Sequence, residues 1–276
     1  MVDMMVVLII SIVVGFLGAL TGLGGASILI PILVWFGVPV KYAIAAGMVA
    51  IIATSSGSAA SYVREHLTNV KAAFYLEIFT VIGAIIGATV TTVIAPRLLY
   101  FLFAVFLLTS FYGLSGRLRE EFPEAVVQDR FSKWLELDGR YYDQAAGKEI
   151  EYKMTNATLA GVGMFIAGLA AGMLGIGAGA FKVSVHELLL KMPSKISSAT
   201  SNFIIGMTAL AGASVYFASG LLFVGLAAPM AVGVTIGAYV GGRILNRFPN
   251  LMIRYLFLVI VFTLIIQMLY KGVTSQ

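Results

Sequence analysis

The chain contains no cysteine and only two histidines in 276 residues. Without thiols there is no disulfide framework, no iron–sulfur cluster and no thiolate zinc site. Neither a metal nor a cofactor is expected. Charge is the second scarcity. Only 11% of the residues are charged, against 60% hydrophobic, where an ordinary soluble domain carries about 25% charged residues. So few charges would not cover a water-soluble globule of this size, which excludes most cytosolic enzymes. Acidic residues are scarcer still outside one segment: beyond residues 115–154 there are only Asp3, Glu65, Glu77 and Glu187. The net charge of +5 does not indicate a nucleic-acid partner. The basic residues lie in the gaps between apolar runs, where membrane proteins keep them. Met1–Met5 carries Asp3 and no Lys or Arg, so the basic start of a signal peptide is missing.

Long apolar runs are what the chain has in place of charge. A helix needs about 20 apolar residues to cross a hydrocarbon core of about 30 Å. Residues 43–62, 72–95, 98–114, 196–218, 221–242 and 251–270 meet that length, each bounded by polar or proline-containing breaks. Two further runs are too long. Val2–Phe36 would extend about 50 Å as one helix, and Thr155–Leu190 is similar. Each carries a glycine cluster near its middle: Gly22, Gly24 and Gly25 in the first, Gly175, Gly177 and Gly179 in the second. Glycine lets a helix stop and turn, so both runs read as helix, break, then a shorter helix, with the break inside the membrane.

These features recur. A shift of 153 residues aligns Gly15 with Gly168, Gly22 with Gly175 and Gly24 with Gly177. After one further insertion, Pro39 aligns with Pro193, Lys41 with Lys195, Thr54 with Thr208, Tyr62 with Tyr216, Gly83 with Gly237 and Gly87 with Gly241. The expected fold is an all-α polytopic membrane protein of two repeats, 1–114 and 155–276. Each repeat holds a glycine-broken helix–loop–half-helix segment followed by three spanning helices. Paired interrupted segments in two halves are a sequence pointer to a transporter binding site. Between the repeats lies a polar insert, 115–154, holding 16 of the 31 charged residues. It reads as a solvated linker. An interfacial segment or a small hairpin are the alternatives.

Two topologies fit. If each broken run crosses once there are eight spans. If each doubles back there are ten, and the halves are inverted. In the second case one side collects Arg64, Lys71, the insert's seven basic residues, Lys191, Lys195, Arg243, Arg247 and Arg254, and the other keeps Lys41, Arg97 and Lys271. The positive-inside rule then puts the insert in the cytoplasm and both termini outside. The inverted form is preferred on segment length and charge.

The order of motifs resembles the sulfite exporter TauE/SafE family of anion permeases. The resemblance rests on Gly22-Leu-Gly-Gly25 followed by Pro31 and Leu33, on Gly175-Ile-Gly-Ala-Gly179, on Ala199-Thr200-Ser201, and on Asn69-Val-Lys71 with Gly83-Ala-Ile-Ile-Gly87 after it. It covers nearly the whole chain apart from the insert. The first half departs from the pattern, with Gly47-Met48 at the Thr-Ser position. The second half has Ser184 in place of the proline equivalent to Pro31, with Lys182 nearby. The resemblance implies export or exchange of sulfite or an organosulfonate such as sulfoacetate across the cell membrane by secondary transport. The expected partners are a small anion and the lipid bilayer, with no nucleic acid; a homodimer is left open.

A helix that restarts inside the membrane aims unpaired N–H groups and the positive end of its dipole at the break. Glycines let an anion approach those donors. Gly22, Gly24, Gly25, Gly175, Gly177 and Gly179 are therefore candidate substrate-binding residues. Gly83 and Gly87, and Gly237 and Gly241, read instead as close helix packing through small residues. Hydroxyl and amide donors are expected from Ser55 and from Thr200, Ser201 and Asn202. Lys182 falls just after the second break and would add a full positive charge; snorkelling to the interface is its alternative. A cation at a helix N-terminus opposes the dipole, so a compensating anion is expected. Glu77 is a candidate for a coupling proton, or else an interfacial partner of Lys71 or Arg64. His186 and Glu187 read as interfacial. Competing functions are an anion channel and an intramembrane serine hydrolase built on Ser56-Gly-Ser58 with His66 or His186.

Overall fold

A computed structural model describes residues 4–21, 25–64, 67–116, 126–143, 148–244 and 250–274. Ten long or half-length helices and one small polar subunit of structure account for it. In chain order the first half is α1 (Met4–Thr21), α2 (Ala26–Trp35), α3 (Val40–Arg64), α4 (Val70–Val93) and α5 (Pro96–Gly116). The insert holds α6 (Arg130–Trp134), β1 (Asp138–Asp143) and β2 (Lys148–Lys153). The second half is α7 (Ala157–Leu174), α8 (Gly179–Leu188), α9 (Ser194–Ala218), α10 (Val224–Ile244) and α11 (Asn250–Thr274). Among the described residues, Val70–Val93, Ala157–Leu174 and Ile196–Ala218 are long and apolar enough to cross a membrane. The chain is a helical membrane protein.

Both overlong runs are interrupted. α7 stops at Gly175, whose φ of +66° lies in the left-handed region, followed by Gly177 at +69° and Ala178 at +49°. That backbone reverses the chain. α8 then runs back beside α7, so that Gly163 of α7 lies against Val185 and Leu189 of α8. The two ends meet: Thr155 N donates to Leu190 O at 3.2 Å, and Asn156 Nδ2 to Leu189 O at 3.4 Å. α7 and α8 therefore form a hairpin that starts and finishes on one side. At ten residues, α8 is about 15 Å long, half of a bilayer core. α2 has the same ten-residue length. Its first residues follow Gly25, which lies against Val14 and Gly15 of α1. Gly22 and Gly24 lie outside the described residues.

The helices pair across the halves: α1 with α10, α4 with α7, α3 with α9, and α5 with α11. Contact order along each pair gives its direction. Thr80 lies at Gly168 and Ala84 at Gly172, so α4 and α7 run parallel. Leu8 lies at Gly233 and Ile12 at Gly237, so α1 and α10 do too. α3 and α9 run antiparallel, with Ser55 at Gly206 and Met48 at Gly212.

The parallel pairs depend on glycine. A Cβ on Gly83 would strike the Phe165 carbonyl, one on Gly87 the Leu169 carbonyl, and one on Gly172 the Ala84 carbonyl. Gly237 stands in the same relation to Ile12. With no hydrophobic drive between helices in lipid, such close backbone approach is what holds them together. The packing role expected for Gly83, Gly87 and Gly237 is what these contacts describe.

The insert is not a solvated linker over its described length. β1 and β2 form an antiparallel hairpin. Tyr141, Ile150, Tyr152, Leu137 and Met154 are buried in one cluster with Ala72, Ala73 and Leu76 of α4 and with Val185 and Leu190 at the end of the α7–α8 hairpin. Alternation in Lys148–Lys153 puts Ile150 and Tyr152 on one buried face, a period-two signal that the charge count conceals. Polar contacts lock it down. Lys71 at the start of α4 pairs with Glu136. Asp129 accepts from Ser132 N at 3.2 Å, from Asn156 N at 2.8 Å and from Thr155 Oγ1 at 3.2 Å. Burial works against the Asp129 carboxylate, but these bonds outweigh it and take the pKa from its usual 3.8 down to about 2.

Two outcomes are expected. Gly83→Val and Gly172→Val each cost roughly 1–3 kcal/mol by overpacking, read as a lower melting temperature in detergent. Ile86→Ala on the exposed face of α4 changes it little. Asp129→Asn lowers the melting temperature near neutral pH. Because the folded carboxyl has the lower pKa, its contribution is present above the unfolded value and lost as pH falls through about 2. The gap to the parent protein should therefore close as pH drops from the unfolded to the folded value. A gap independent of pH would mean that Asp129 acts without its charge.

Candidate functional site

Four consecutive carbonyls at the end of α7 have lost their onward helical partners. Protein groups replace some of them. Gly175 N returns to Ala171 O at 2.9 Å. Tyr216 Oη of α9 donates to Gly172 O at 2.6 Å. Thr91 Oγ1 of α4 donates to Met173 O at 3.1 Å. The break is thus clamped between α4 and α9. On its far side α3 closes in: a Cβ on Gly175 would stand 2.6 Å from Ile44 O, and one on Gly47 would stand 3.1 Å from Gly175 O. Gly47 also faces Ile30 of α2, so at this residue α3 touches both the half-length helix α2 and the break after α7.

Just beyond the break stands Lys182. Its N donates to Ala178 O at 2.9 Å, which places it in the first turn of α8. No side chain caps that helix start. Lys182 is completely buried and does not snorkel. Its ammonium donates to Thr208 Oγ1 of α9 at 2.6 Å. Thr208 Oγ1 lies 2.9 Å from Glu77 Oε1 and 3.1 Å from Oε2. Thr80 Oγ1 donates to Glu77 Oε2 at 2.7 Å. Glu77 is only 5% exposed, and Thr80 and Thr208 are fully buried. The result is a cation and a carboxylate bridged by a hydroxyl, held by α8, α9 and α4. Two bare charges at this depth would carry a large desolvation cost. The bridge offsets it, and Glu77 supplies the anion that a lysine at a helix N-terminus requires.

One expectation and two alternatives are corrected here. Glu77 does not pair at the interface with Lys71, because Lys71 is taken by Glu136 and Glu77 faces Thr80 and Thr208 inside. The side chain of Arg64 lies outside the described residues. His186 is fully buried, not interfacial. It sits one turn after Lys182 on the same face of α8, with Nδ1 3.4 Å from Ser197 O and no hydrogen bond at Nε2. Lys182 does not reach an interface, for the reason just given.

The remaining candidates distribute as follows. Ser201 Oγ donates to Gly179 O at 3.4 Å, beside the start of α8. Ser55 Oγ donates to Asn202 O at 2.7 Å, joining α3 to α9 alongside the break. Gly177 and Gly179 pack against Ile205 of α9. The Asn202 side chain donates to Ser198 O of its own helix at 3.0 Å. Thr200 Oγ1 accepts from Asn69 N at 3.2 Å, at the entrance end of α4. Glu77 and Thr208 lie eight residues deeper on these two parallel helices, about 12 Å by helical rise. Gly25 belongs to the first break, against Val14. Thr208, Thr80 and Gly47 were not among the sequence candidates. Thr208 did carry a signal, since it aligns with Thr54 in the internal repeat. Gly47, read as a lost polar position, is the small residue that lets α3 approach Gly175. Among the described residues no group of three His, Asp or Glu side chains could hold a metal ion.

A buried cation beside a helix start, backed by an internal carboxylate, has the charge to balance an anion within a membrane. The sulfite exporter TauE/SafE family model matches residues 7–268. The chain belongs to this family. Two Bacillus subtilis (strain 168) proteins are similar along their whole lengths. The probable membrane transporter protein YunE is 25% identical over 281 residues, covering 98% of each chain. The probable membrane transporter protein YdhB is 27% identical over 256 residues, covering 92% of this chain and 94% of that one. No solved structure gives a significant match. The chain is thus a membrane transporter of the TauE/SafE family.

Removing either charge strands the other. Glu77→Leu and Lys182→Met should each destabilise by about 3–5 kcal/mol, while the double substitution recovers most of the loss. Melting temperatures of the four proteins measure the coupling, and additive losses would show that the two charges are independent.

Proposed function

We propose that this protein is a secondary transporter for small anions, sulfite or an organosulfonate such as sulfoacetate, working by alternating access in the cell membrane. The observation that carries the reading is Lys182, fully buried in the first turn of a half-length helix and bridged by Thr208 to Glu77. The anion would lie at the α7–α8 break, facing Lys182 and the uncapped start of α8. Ser201 would flank it, with the backbone at Gly175, Gly177 and Gly179 giving close access.

The two halves are read as inverted repeats. What supports this is the pairing scheme. Exchanging each first-half helix for its counterpart turns α1–α10 into α7–α4 and leaves α3–α9 and α5–α11 as they are. Aligned glycines make matching contacts: Gly83 meets α7 as Gly237 meets α1, and Gly168 meets α4 as Gly15 meets α10. Antiparallel α3 and α9 favour inversion, because counterpart helices in a non-inverted eight-span chain would run the same way. The α7–α8 hairpin favours the ten-segment count. With that count, the basic residues place the insert in the cytoplasm and both termini outside.

The test is thermal stabilisation of purified protein by a panel of sulfite, thiosulfate, sulfate, methanesulfonate, isethionate, sulfoacetate and taurine. A ligand at 100 times its Kd adds about 2.7 kcal/mol of stability. Sulfite or a sulfonate should stabilise the parent protein. Lys182→Met and Gly177→Leu should remove that response while leaving folded protein. Full retention in both variants would place the anion elsewhere.

A further inference from the structure

We infer that Glu77 is a tethered stand-in for the transported anion: carboxylate and substrate alternate in balancing Lys182, so each singly charged oxyanion crosses together with one proton carried on Glu77. This rests on the transporter reading above and adds the charge class of the substrate and the coupling ion.

The argument starts from hydrogen-bond alternatives. Thr208 Oγ1–H has two acceptors within reach, the Glu77 carboxylate and Ile204 O at 2.9 Å. Thr80 Oγ1–H likewise has Glu77 Oε2 at 2.7 Å and Glu77 O at 3.0 Å. When Glu77 takes a proton, both hydroxyls can turn to their own helix backbone. The new carboxyl O–H can then donate to a hydroxyl oxygen. Glu77 can therefore be ionised or neutral with no buried hydroxyl left unsatisfied, a condition that a purely structural ion pair would not need.

Charge accounting gives the rest. With Glu77 ionised, Lys182 is balanced, and a further anion would leave excess negative charge at low dielectric. With Glu77 protonated, the ammonium is uncompensated. Among the described residues it donates only to Thr208, so two of its three N–H donors can meet oxyanion oxygens. A sulfonate or hydrogensulfite restores neutrality, whereas a doubly charged anion overshoots it. The proton comes from water on the side from which the anion binds and leaves to water on the other side, so no net charge moves.

Other titratable groups around Glu77 are few. α7 has none. α8 carries Lys182, His186 and Glu187, α9 carries Lys195 and Tyr216, and α4 itself adds Lys71 and Tyr75. Tyr216 is bonded to Gly172 O and Lys71 to Glu136. His186 shares the Lys182 face of α8, so a His186→Gln control separates its titration from that of Glu77.

The experiment uses methanesulfonate and isethionate, which stay singly charged at every pH used. For the full-length protein, affinity should strengthen by up to tenfold per unit fall in pH, the limit for one proton taken up per anion. Glu77→Gln should bind at least as tightly as the parent does at its most acidic point, with no pH dependence. His186→Gln should keep the parent profile. In proteoliposomes of unmodified protein, an internal pH dye should report one proton per sulfonate, and a potassium–valinomycin voltage should not alter the flux. Flux driven by voltage without acidification, or sulfonate binding independent of pH, overturns the inference and leaves the anion site standing. Loss of sulfonate binding in a folded Glu77→Gln protein also overturns it, because the carboxylate would then be part of the binding surface. If neither sulfonate binds the parent or the variant at any pH, the anion-site reading fails, and this inference with it.

Discussion

A helix that ends inside lipid leaves carbonyls that the solvent around it cannot satisfy, so protein must reach them. At the end of α7 that demand is met by Tyr216 from α9 and Thr91 from α4. Those two bonds bring α4 and α9 together against the break. The residues that share their helices then come with them. Thr208 lies two turns before Tyr216 on α9, and Glu77 lies about four turns before Thr91 on α4. Satisfying backbone groups at the interruption thus places the hydroxyl and the carboxylate that Lys182 needs. The polar network follows from the break.

On the proposed repeat, the two halves differ in their charge set. Thr54 is the counterpart of Thr208, yet it donates to Ala50 O and Ile51 O of its own helix. Glu77 corresponds in the repeat to Ala231, and Lys182 falls opposite Ile28 and Leu29. Ala231, Ile28 and Leu29 are all apolar. On that alignment the Lys182–Glu77 charge pair has no charged counterpart in the other half. Gly47 ties the two interrupted segments, since α3 there contacts Ile30 on one side and Gly175 on the other. Loss of the Thr-Ser pair at that position is the consequence of close packing: any side chain would push the second break away.

Much of the architecture could be read in residues alone. Gly175 and Gly177 announced the interruption because a run of that length does not fit the bilayer. Gly83 and Gly87 announced close packing by their four-residue spacing. Charge distribution favoured a doubled-back segment, and the α7–α8 hairpin has that shape. What stayed hidden depended on direction and depth. Glu77 is only about two turns into its helix from Lys71, so spacing alone allowed an interfacial pair. Which way it faces is decided by α9, through Thr208, and by the insert, whose Glu136 occupies Lys71. His186 was hidden for the same reason: on a short helix, sequence gives its distance from the end, while the hairpin with α7 and the contact with Ser197 decide that it is inside. The insert was misjudged because nine acidic and seven basic residues dominate its composition. Its packing rests on five apolar or aromatic positions at hairpin spacing.

These contacts also limit how the site can open. The insert joins the start of α4 through Lys71–Glu136 and Asn69–Tyr152, and the start of α7 through Asp129 and Ser132. The end of α8 is bonded to the start of α7. α4, α7, the end of α8 and the insert therefore make one body, and the glycine-packed α4–α7 contact leaves no room for sliding within it. α1 and α10 form a matching tight pair. α9 is bonded to α4 through Thr200–Asn69 and Thr208–Glu77, and it meets α3 along an antiparallel surface where Ser55 reaches a backbone carbonyl and Met48 reaches across to Gly212. Lys182 on α8 and Thr208 on α9 therefore sit on the same side of that surface, with α3 across from them. For alternating access, relative movement there would expose the break to one side while the Lys182–Thr208–Glu77 chain stays together.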